Sequence, residues 1–277
     1  MDHKPMKGKS MYIFPVVVFV IFSVTWLYIQ QFDIEASRDL RQLWGHFYWI
    51  LPVFGGIAGL FTSKKWGGYK SLLGKTILVL SMGLLLQSFG QIYSSYYVFF
   101  NDVESPPYPA IGDIGFFGSV LVYIYGVMLL SKLSGFHFSI KKIHNKIWAF
   151  LIPAFMLLLS YFMFLKGYEF DWSGWTSSIT ILLDFGYPLG QAFYVSIAIL
   201  SLLVSRNLLG GILKRPIWYL IFALIVQSLS DFVFIYQATR GTWYVGGFND
   251  YMYLTSYFLM TLALIHMSSV FKKIKES

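Results

Sequence analysis

Cysteine is absent from the 277-residue sequence, and charged residues make up only 12% of it. The absence of cysteine excludes disulfides, thiolate nucleophiles and cysteine-ligated metals or haem. The low charge excludes an ordinary soluble domain, in which about a quarter of the residues are charged. Instead, 57% of the residues are hydrophobic and the mean hydropathy is +0.62. This composition indicates a protein that crosses a membrane several times.

Apolar runs long enough to cross a hydrocarbon core of about 30 Å recur along the whole chain. The polar breaks between them predict an all-α protein with eight transmembrane helices. These helices are expected near residues 11–30, 46–62, 74–100, 113–132, 147–166, 178–204, 215–238 and 251–271. No small-residue cleavage site follows the first run, so we expect it to remain as a membrane helix. No segment is left for a soluble domain.

The connections between these runs alternate in charge. The N-terminus, every second connection and the C-terminus together hold 17 of the 21 lysines and arginines. Because cytoplasmic segments carry the excess of basic residues, both termini are expected in the cytoplasm, which requires an even number of crossings. All nine tryptophans fall near predicted span ends, where indole rings prefer to lie.

The formal charge of +8 has a membrane explanation. The basic residues lie where the anionic inner leaflet of a plasma membrane attracts them. The lipid bilayer is therefore the expected partner, and we expect no nucleic acid.

Several residues recur roughly half a chain apart. The pairs are Pro15 with Pro153, Pro52 with Pro188, Gln87 with Gln227, and Asp113 with Asp250. They predict two four-helix halves, residues 1–138 and 139–277. Since each half crosses the membrane an even number of times, the repeat would be parallel. Coincidence is the alternative, because proline and glycine are common in membrane helices.

Polar side chains interrupt the predicted spans in a few places. Gln91 and Asp231 follow Gln87 and Gln227 by one helical turn, which places each pair on one helix face. Asp184 enters from the opposite side and is expected near the layer of Asp231. A charge at the bilayer centre costs at least about 2.5–3.5 kcal/mol, so both acids should face the bundle interior. The expected partners are Gln87, Gln91, Gln191, Gln227, Tyr93, Tyr187 and Tyr236.

Two interpretations of these residues stay open. One is a polar chamber open to the outer face that binds a small ligand or relays protons through Asp231 and Asp184. The other is hydrogen bonding that holds the helices together, which is favoured for the glutamines. Asp113 and Asp250 begin the fourth and eighth spans, where they would cap a helix N-terminus or contact a ligand.

Most chemistries can be set aside. No lysine lies inside a span, which excludes a retinal attachment site, and the five histidines do not form a metal or haem ligand set. The sequence therefore predicts no metal and no cofactor. One minor enzymatic alternative remains, because paired aspartates such as Asp184 and Asp231 resemble those of intramembrane aspartyl proteases. The glycine-containing GxGD motif of those families is absent at Asp231.

Three segments carry a family resemblance: PYPAIGDIGFFGSVLVYIYGVMLL at 107–130, LLDFGYPLGQ at 182–191 and GTWYVGGFNDYMYLTSYFL at 241–259. They resemble the multi-helix membrane sensor regions of prokaryotic signalling proteins, such as diguanylate cyclases and histidine kinases. The resemblance implies an input module. Only KKIKES follows Phe271, so signalling would need a separate partner protein.

The leading hypothesis is a non-enzymatic sensor or small-ligand-binding module of a prokaryotic plasma membrane, with its polar site toward the outer face. A proton-coupled or small-solute transporter is the alternative. The inner halves of the spans, such as RPIWYLIFALIV, look almost wholly apolar and favour a site that does not open to the cytoplasm.

Overall fold

The computed structural model describes residues 7–101, 103, 106–133, 143–162, 178–205 and 213–276. These residues form nine α-helices and one 3-10 turn, with no strand among them. The helices are α1 (Lys7–Ile29), α2 (Arg38–Phe47), α3 (Ile50–Lys65), α4 (Leu72–Asn101), α5 (Gly112–Leu133), α6 (Ile143–Tyr161), α7 (Ser178–Ser205), α8 (Lys214–Thr239) and α9 (Phe248–Glu276).

Seven helical segments in this part of the chain are long and apolar enough to cross a membrane. They are Met11–Ile29, Arg38–Lys65, Leu72–Asn101, Gly112–Leu133, Ser178–Leu203, Lys214–Gln237 and Phe248–Glu276. The prediction of an all-helical, multi-pass membrane protein is therefore confirmed. The predicted fifth span, 147–166, corresponds to the shorter apolar helix Ile147–Tyr161 and continues into residues outside the described ranges. The predicted boundary between the halves at 138–139 also lies outside them.

The second span begins earlier than predicted. The apolar run indicated a start at residue 46, but the helical path already begins with α2 at Arg38. Helix α2 is amphipathic: Arg41 and Trp44 are buried, whereas Leu43 is exposed. Because α2 contains charged residues, a search for apolar runs does not detect it. Pro52 follows in the first turn of α3, where its missing N–H has no intrahelical partner to lose.

Six helices form a closed ring. In order around it, α3 packs on α4, α4 on α5, α5 on α7, α7 on α8, α8 on α9, and α9 on α3. Helix α1 lies outside the ring against α9, and α6 lies outside it against α7. Large apolar side chains of α1, including Ile13, Val24 and Leu27, are more than half exposed, as expected for a lipid-facing helix.

Small residues allow the ring helices to approach closely. A Cβ atom added to Gly55 of α3 would lie 2.0 Å from Thr261 Oγ1 of α9. One added to Gly59 would lie 2.0 Å from Ser81 Oγ of α4. Small residues are favoured at contacts between membrane helices because they bring the backbones together.

The helices nearest the two chain ends are antiparallel. The Tyr12 hydroxyl near the start of α1 donates to Ser269 Oγ near the end of α9 at 3.0 Å. At the other end of α1, Trp26 Nε1 donates to the Gly246 carbonyl before α9 at 3.1 Å. The end of the bundle where α1 begins and α9 finishes is called the terminal end below, and the opposite end is called the distal end.

Candidate functional site

One face of α7 carries polar residues from the distal end toward the centre of the bundle. Asp184, Tyr187, Gln191 and Tyr194 are spaced three, seven and ten residues from the first, which places them on one side of a helix. At about 1.5 Å per residue they extend over about 15 Å. We call these four residues the polar face of α7. It lies where α7 packs against α5 and α8.

Asp231 of α8 is the acid that contacts this face most deeply in the bundle. Its Oδ2 accepts a hydrogen bond from Gln191 Nε2 at 2.6 Å. Its Oδ1 accepts from the Tyr253 hydroxyl of α9 at 2.6 Å and from Gln227 Nε2 at 3.4 Å. Gln191 and Gln227 are buried, and Asp231 and Tyr253 are partly exposed. These four residues, called the Asp231 cluster below, join three helices of the ring.

Two other acids meet tyrosines nearer the distal end. The Tyr187 hydroxyl donates to Asp113 Oδ1 at 2.8 Å, and the Tyr108 hydroxyl donates to Asp184 Oδ1 at 2.6 Å. Tyr108 precedes α5, so its bond links the α4–α5 connection to α7. Burial and the bond to Asp184 raise the pKa of Tyr108 above its ordinary value, which keeps the hydroxyl protonated as a donor.

Asp184 and Asp231 do not share a layer, contrary to the prediction. Asp231 bonds to Gln191, which lies seven residues beyond Asp184 along α7, or about 10 Å deeper. A pair of aspartates that shares one proton needs its carboxyl groups about 3 Å apart. The arrangement therefore gives no support to an intramembrane aspartyl hydrolase.

The predicted glutamines divide between two places. Gln191 and Gln227 contact Asp231 as expected. Gln87 bonds elsewhere: its Nε2 donates to Ser119 Oγ of α5 at 2.6 Å, and its Oε1 accepts from the Tyr257 hydroxyl at 3.2 Å. Gln91 is partly exposed and makes no hydrogen bond within the described part of the chain. The side-chain bonds of Gln87 therefore link α4, α5 and α9.

Asp113 and Asp250 are placed alike in the first turns of α5 and α9. Asp113 Oδ2 accepts from the Ala110 backbone N–H at 2.8 Å, and Asp250 Oδ2 accepts from the Gly246 N–H at 2.7 Å. Each carboxylate thus accepts from a backbone N–H of the segment before its helix, rather than from an N–H group of the helix's own first turn. Only Asp113 also contacts the polar face of α7, through Tyr187.

The two remaining predicted tyrosines make contacts with other side chains. Tyr93 packs on Tyr97, with ring centroids 6.0 Å apart. Tyr236 is exposed, and the Arg240 guanidinium lies 3.8 Å from the centroid of its ring.

Arg41 is a buried residue that the sequence analysis missed. It is 3% exposed, and its guanidinium lies 5.1 Å from the centroid of the Tyr244 ring. Its acceptors are Ser37 Oγ at 2.7 Å and the carbonyl oxygens of Ile29, Phe32 and Gly246 at 3.3, 3.4 and 3.2 Å. Arg41 thereby fastens α2 to the α8–α9 connection at the distal end. Its acceptors are mostly backbone atoms, which leave no signal in a sequence.

Asp113 and Asp231 have no cationic partner among the residues described. The ion pair found in this part of the chain is Lys272–Glu276 at 3.7 Å, at the terminal end. The described part of the chain contains no group of three or more His, Asp or Glu side chains that could hold a metal. Asp231 instead accepts hydrogen bonds from neutral donors.

Comparison of the chain with protein-family models, with curated proteins and with solved structures finds no match.

Proposed function

We propose that the chain is a non-enzymatic sensor or small-ligand-binding module of a prokaryotic plasma membrane, with the Asp231 cluster as its site. The observation that carries this proposal is the convergence of Gln191, Gln227 and Tyr253 on Asp231. An acid in a membrane-spanning helix is costly and marks a functional site by default. Partial exposure of Asp231 and Tyr253 leaves the cluster open to a ligand.

The proposal includes eight crossings, with both termini in the cytoplasm. Asp113 near the start of α5 bonds to Tyr187 near the start of α7, so these two helices begin at the same end. The chain must then return between them, and α6 is the helix available for that crossing. With α6 counted, the number is even, in agreement with α1 and α9 being antiparallel. The basic residues then place the distal end outside the cell.

The proposal also includes a parallel duplication of a four-helix half. In such a duplication α3 corresponds to α7, and α5 corresponds to α9. The contact of α3 with α9 then corresponds to the contact of α7 with α5, and both contacts are present. The first-turn carboxylates Asp113 and Asp250 bond to preceding backbone N–H groups in the same way. Both observations support a shared ancestry of residues 1–138 and 139–277.

A binding module differs from a transporter in having no water path to the second side. Between the Asp231 cluster and the terminal end, the ring is filled by buried apolar residues. They include Ile77, Leu80, Leu220, Leu224, Leu264 and Ile265, each at most 1% exposed. This packing supports a site that opens only at the distal end, and a separate partner protein would then carry any signal onward.

Flux measurements separate the two functions. The protein is reconstituted into vesicles that contain a pH-sensitive dye, and a proton gradient is imposed. We expect the same proton leak as in vesicles that carry the Asp231→Asn variant. A faster flux that Asp231→Asn abolishes would establish the proton-coupled transporter and overturn the proposal.

A further inference from the structure

Each of the three side chains around Asp231 directs one hydrogen-bond donor to its carboxyl group. Gln191 and Gln227 direct their amide N–H groups to Asp231, and Tyr253 directs its hydroxyl proton there. The side-chain carbonyl oxygens of the two glutamines receive no hydrogen bond from the described residues. The two glutamine carbonyl oxygens and the Asp231 carboxyl oxygens are therefore hydrogen-bond acceptors available to a ligand. Such a site is complementary to a cation that donates hydrogen bonds.

A second, independent observation comes from Tyr194. This residue is 0% exposed, and its hydroxyl has no hydrogen-bond partner among the described residues. It lies on the polar face of α7, less than one turn beyond Gln191, which bonds to Asp231. An unpaired buried hydroxyl costs about 1–3 kcal/mol, so its retention beside the acid points to a group that occupies the site.

Aromatic rings surround the same place. Tyr194 packs edge-to-face on Tyr123, with centroids 6.0 Å apart, and Tyr253 stacks on Tyr257 at 6.3 Å. A carboxylate among tyrosine rings is the chemistry that recognises ammonium groups, because ring faces attract cations.

We infer that the Asp231 cluster, with Tyr194, binds a small organic ammonium ion that enters from the distal end. This inference rests on the proposed function, because it names the class of ligand for the same site. The ammonium group donates to Asp231, to the free glutamine carbonyls and to the Tyr194 hydroxyl. Its organic part lies among the tyrosine rings.

The distal side of the cluster, where the ammonium ion would enter, carries acidic side chains. Asp184 and Asp113 lie on the distal side of the cluster, each held by a tyrosine hydroxyl. Acids along a partly enclosed path raise the local concentration of cations and exclude anions. A bare divalent metal is a poorer match, because the described residues supply no third carboxylate or imidazole ligand.

The test uses the full chain in lipid nanodiscs and four probes of similar size: propylammonium, tetramethylammonium, propanol and butyrate. Binding is measured by calorimetry and by the shift of the thermal unfolding midpoint. We expect propylammonium to bind best, because tetramethylammonium has the charge but no N–H donor. Propanol and butyrate should not bind.

Three variants locate the binding. Asp231→Asn should weaken propylammonium at least about 30-fold, as expected for loss of one partner of a buried charged pair. Tyr194→Phe should weaken it about fivefold through one lost hydrogen bond. Asp39→Asn, on the exposed side of α2, is the control and should leave binding unchanged. If Asp231→Asn does not fold, Asp231→Glu and Tyr194→Phe take its place, and Asp231→Glu should retain binding.

The outcomes separate this inference from the proposed function. Binding of propanol or butyrate that Asp231→Asn abolishes would keep the cluster as a ligand site but overturn the ammonium assignment. Propylammonium binding that none of the cluster variants changes would overturn it as well. If neither propylammonium nor tetramethylammonium binds, the ammonium assignment is overturned as well. The proposed function is tested separately, by the flux measurement.

Discussion

The Tyr253 hydroxyl of α9 donates a hydrogen bond of 2.6 Å to Asp231 of α8, and Gln191 of α7 donates to the other carboxylate oxygen at the same distance. The carboxylate thus ties three ring helices to one another. Hydrogen bonds to ionised groups are stronger than those between neutral groups. The polar centre of the ring therefore contributes to stability as well as forming the proposed site.

Tyr253→Phe removes one of these bonds. We expect the free energy of unfolding to fall by about 1.5–3 kcal/mol, the range for hydrogen bonds to charged groups. Tyr251→Phe on the same helix is the control, since the Tyr251 hydroxyl contacts only the neutral Ser23 Oγ at 3.2 Å. It should cost about 0.6 kcal/mol. Reversible unfolding in detergent measures both, and equal losses would contradict an ionised Asp231.

Arg41→Lys tests the contact that holds α2 to the α8–α9 connection. A lysine ammonium cannot reproduce the planar fork or its position over Tyr244, so we expect a loss of about 1–3 kcal/mol. Hydrogen exchange should rise in residues 241–247, because Gly246 loses one of its partners. Arg38→Lys, at an exposed position of α2, is the control. Unchanged exchange in the Arg41 variant would show that the contact does not hold this connection.

Gly115→Ala tests the close packing of α4 on α5. A Cβ atom at Gly115 would lie 2.5 Å from the Leu86 backbone carbonyl oxygen, which cannot move aside without shifting the helix. We expect a loss of about 1–3 kcal/mol. At Gly118, one turn along, the nearest atom is a Leu86 methyl at 3.7 Å, so Gly118→Ala should be tolerated. Thermal unfolding of the two variants, measured in parallel, should therefore differ, and similar midpoints would argue against this helix contact.

Tyr108 gives a prediction for alkaline pH. Its raised pKa means that the folded protein keeps a proton that the unfolded chain releases near pH 10. The stability contributed by this group is therefore complete below that pH and is lost as the pH rises further. Tyr108→Phe should make the alkaline loss of stability less steep, as measured by unfolding at a series of pH values. A slope as steep as that of the unaltered protein would contradict the assignment.

Much of the architecture was predictable because lipid imposes a simple rule on sequence. A helix that crosses the membrane needs about 20 apolar residues, and seven such segments are confirmed. The contact of Asp231 with Gln227 was also predictable, since residues four apart share a helix face. Helix α2 was missed because its charged residues interrupt the apolar run.

The details of the site could not be predicted. The sequence has twenty tyrosines, in spans and in connections, and it does not tell which of them face inward, so Tyr253 and Tyr194 gave no separate signal. The depth of Asp184 was misjudged because equal distances from helix ends do not give equal layers when helices differ in length and start. Gln87 was assigned to the acids, but Ser119 on a neighbouring helix satisfies it.

The central claim is that the polar face of α7 leads from outside the cell to the Asp231 cluster and ends there. The absence of cysteine allows single cysteines to be placed at Asp184, Tyr187, Gln191 and Leu264 in turn, and a membrane-impermeant thiol reagent is applied to intact cells or to inverted vesicles. We predict labelling in intact cells that declines from position 184 to position 191, with none at position 264 and none of the four labelled in inverted vesicles. Labelling of position 191 in inverted vesicles, or of no position on this face in intact cells, would contradict the account.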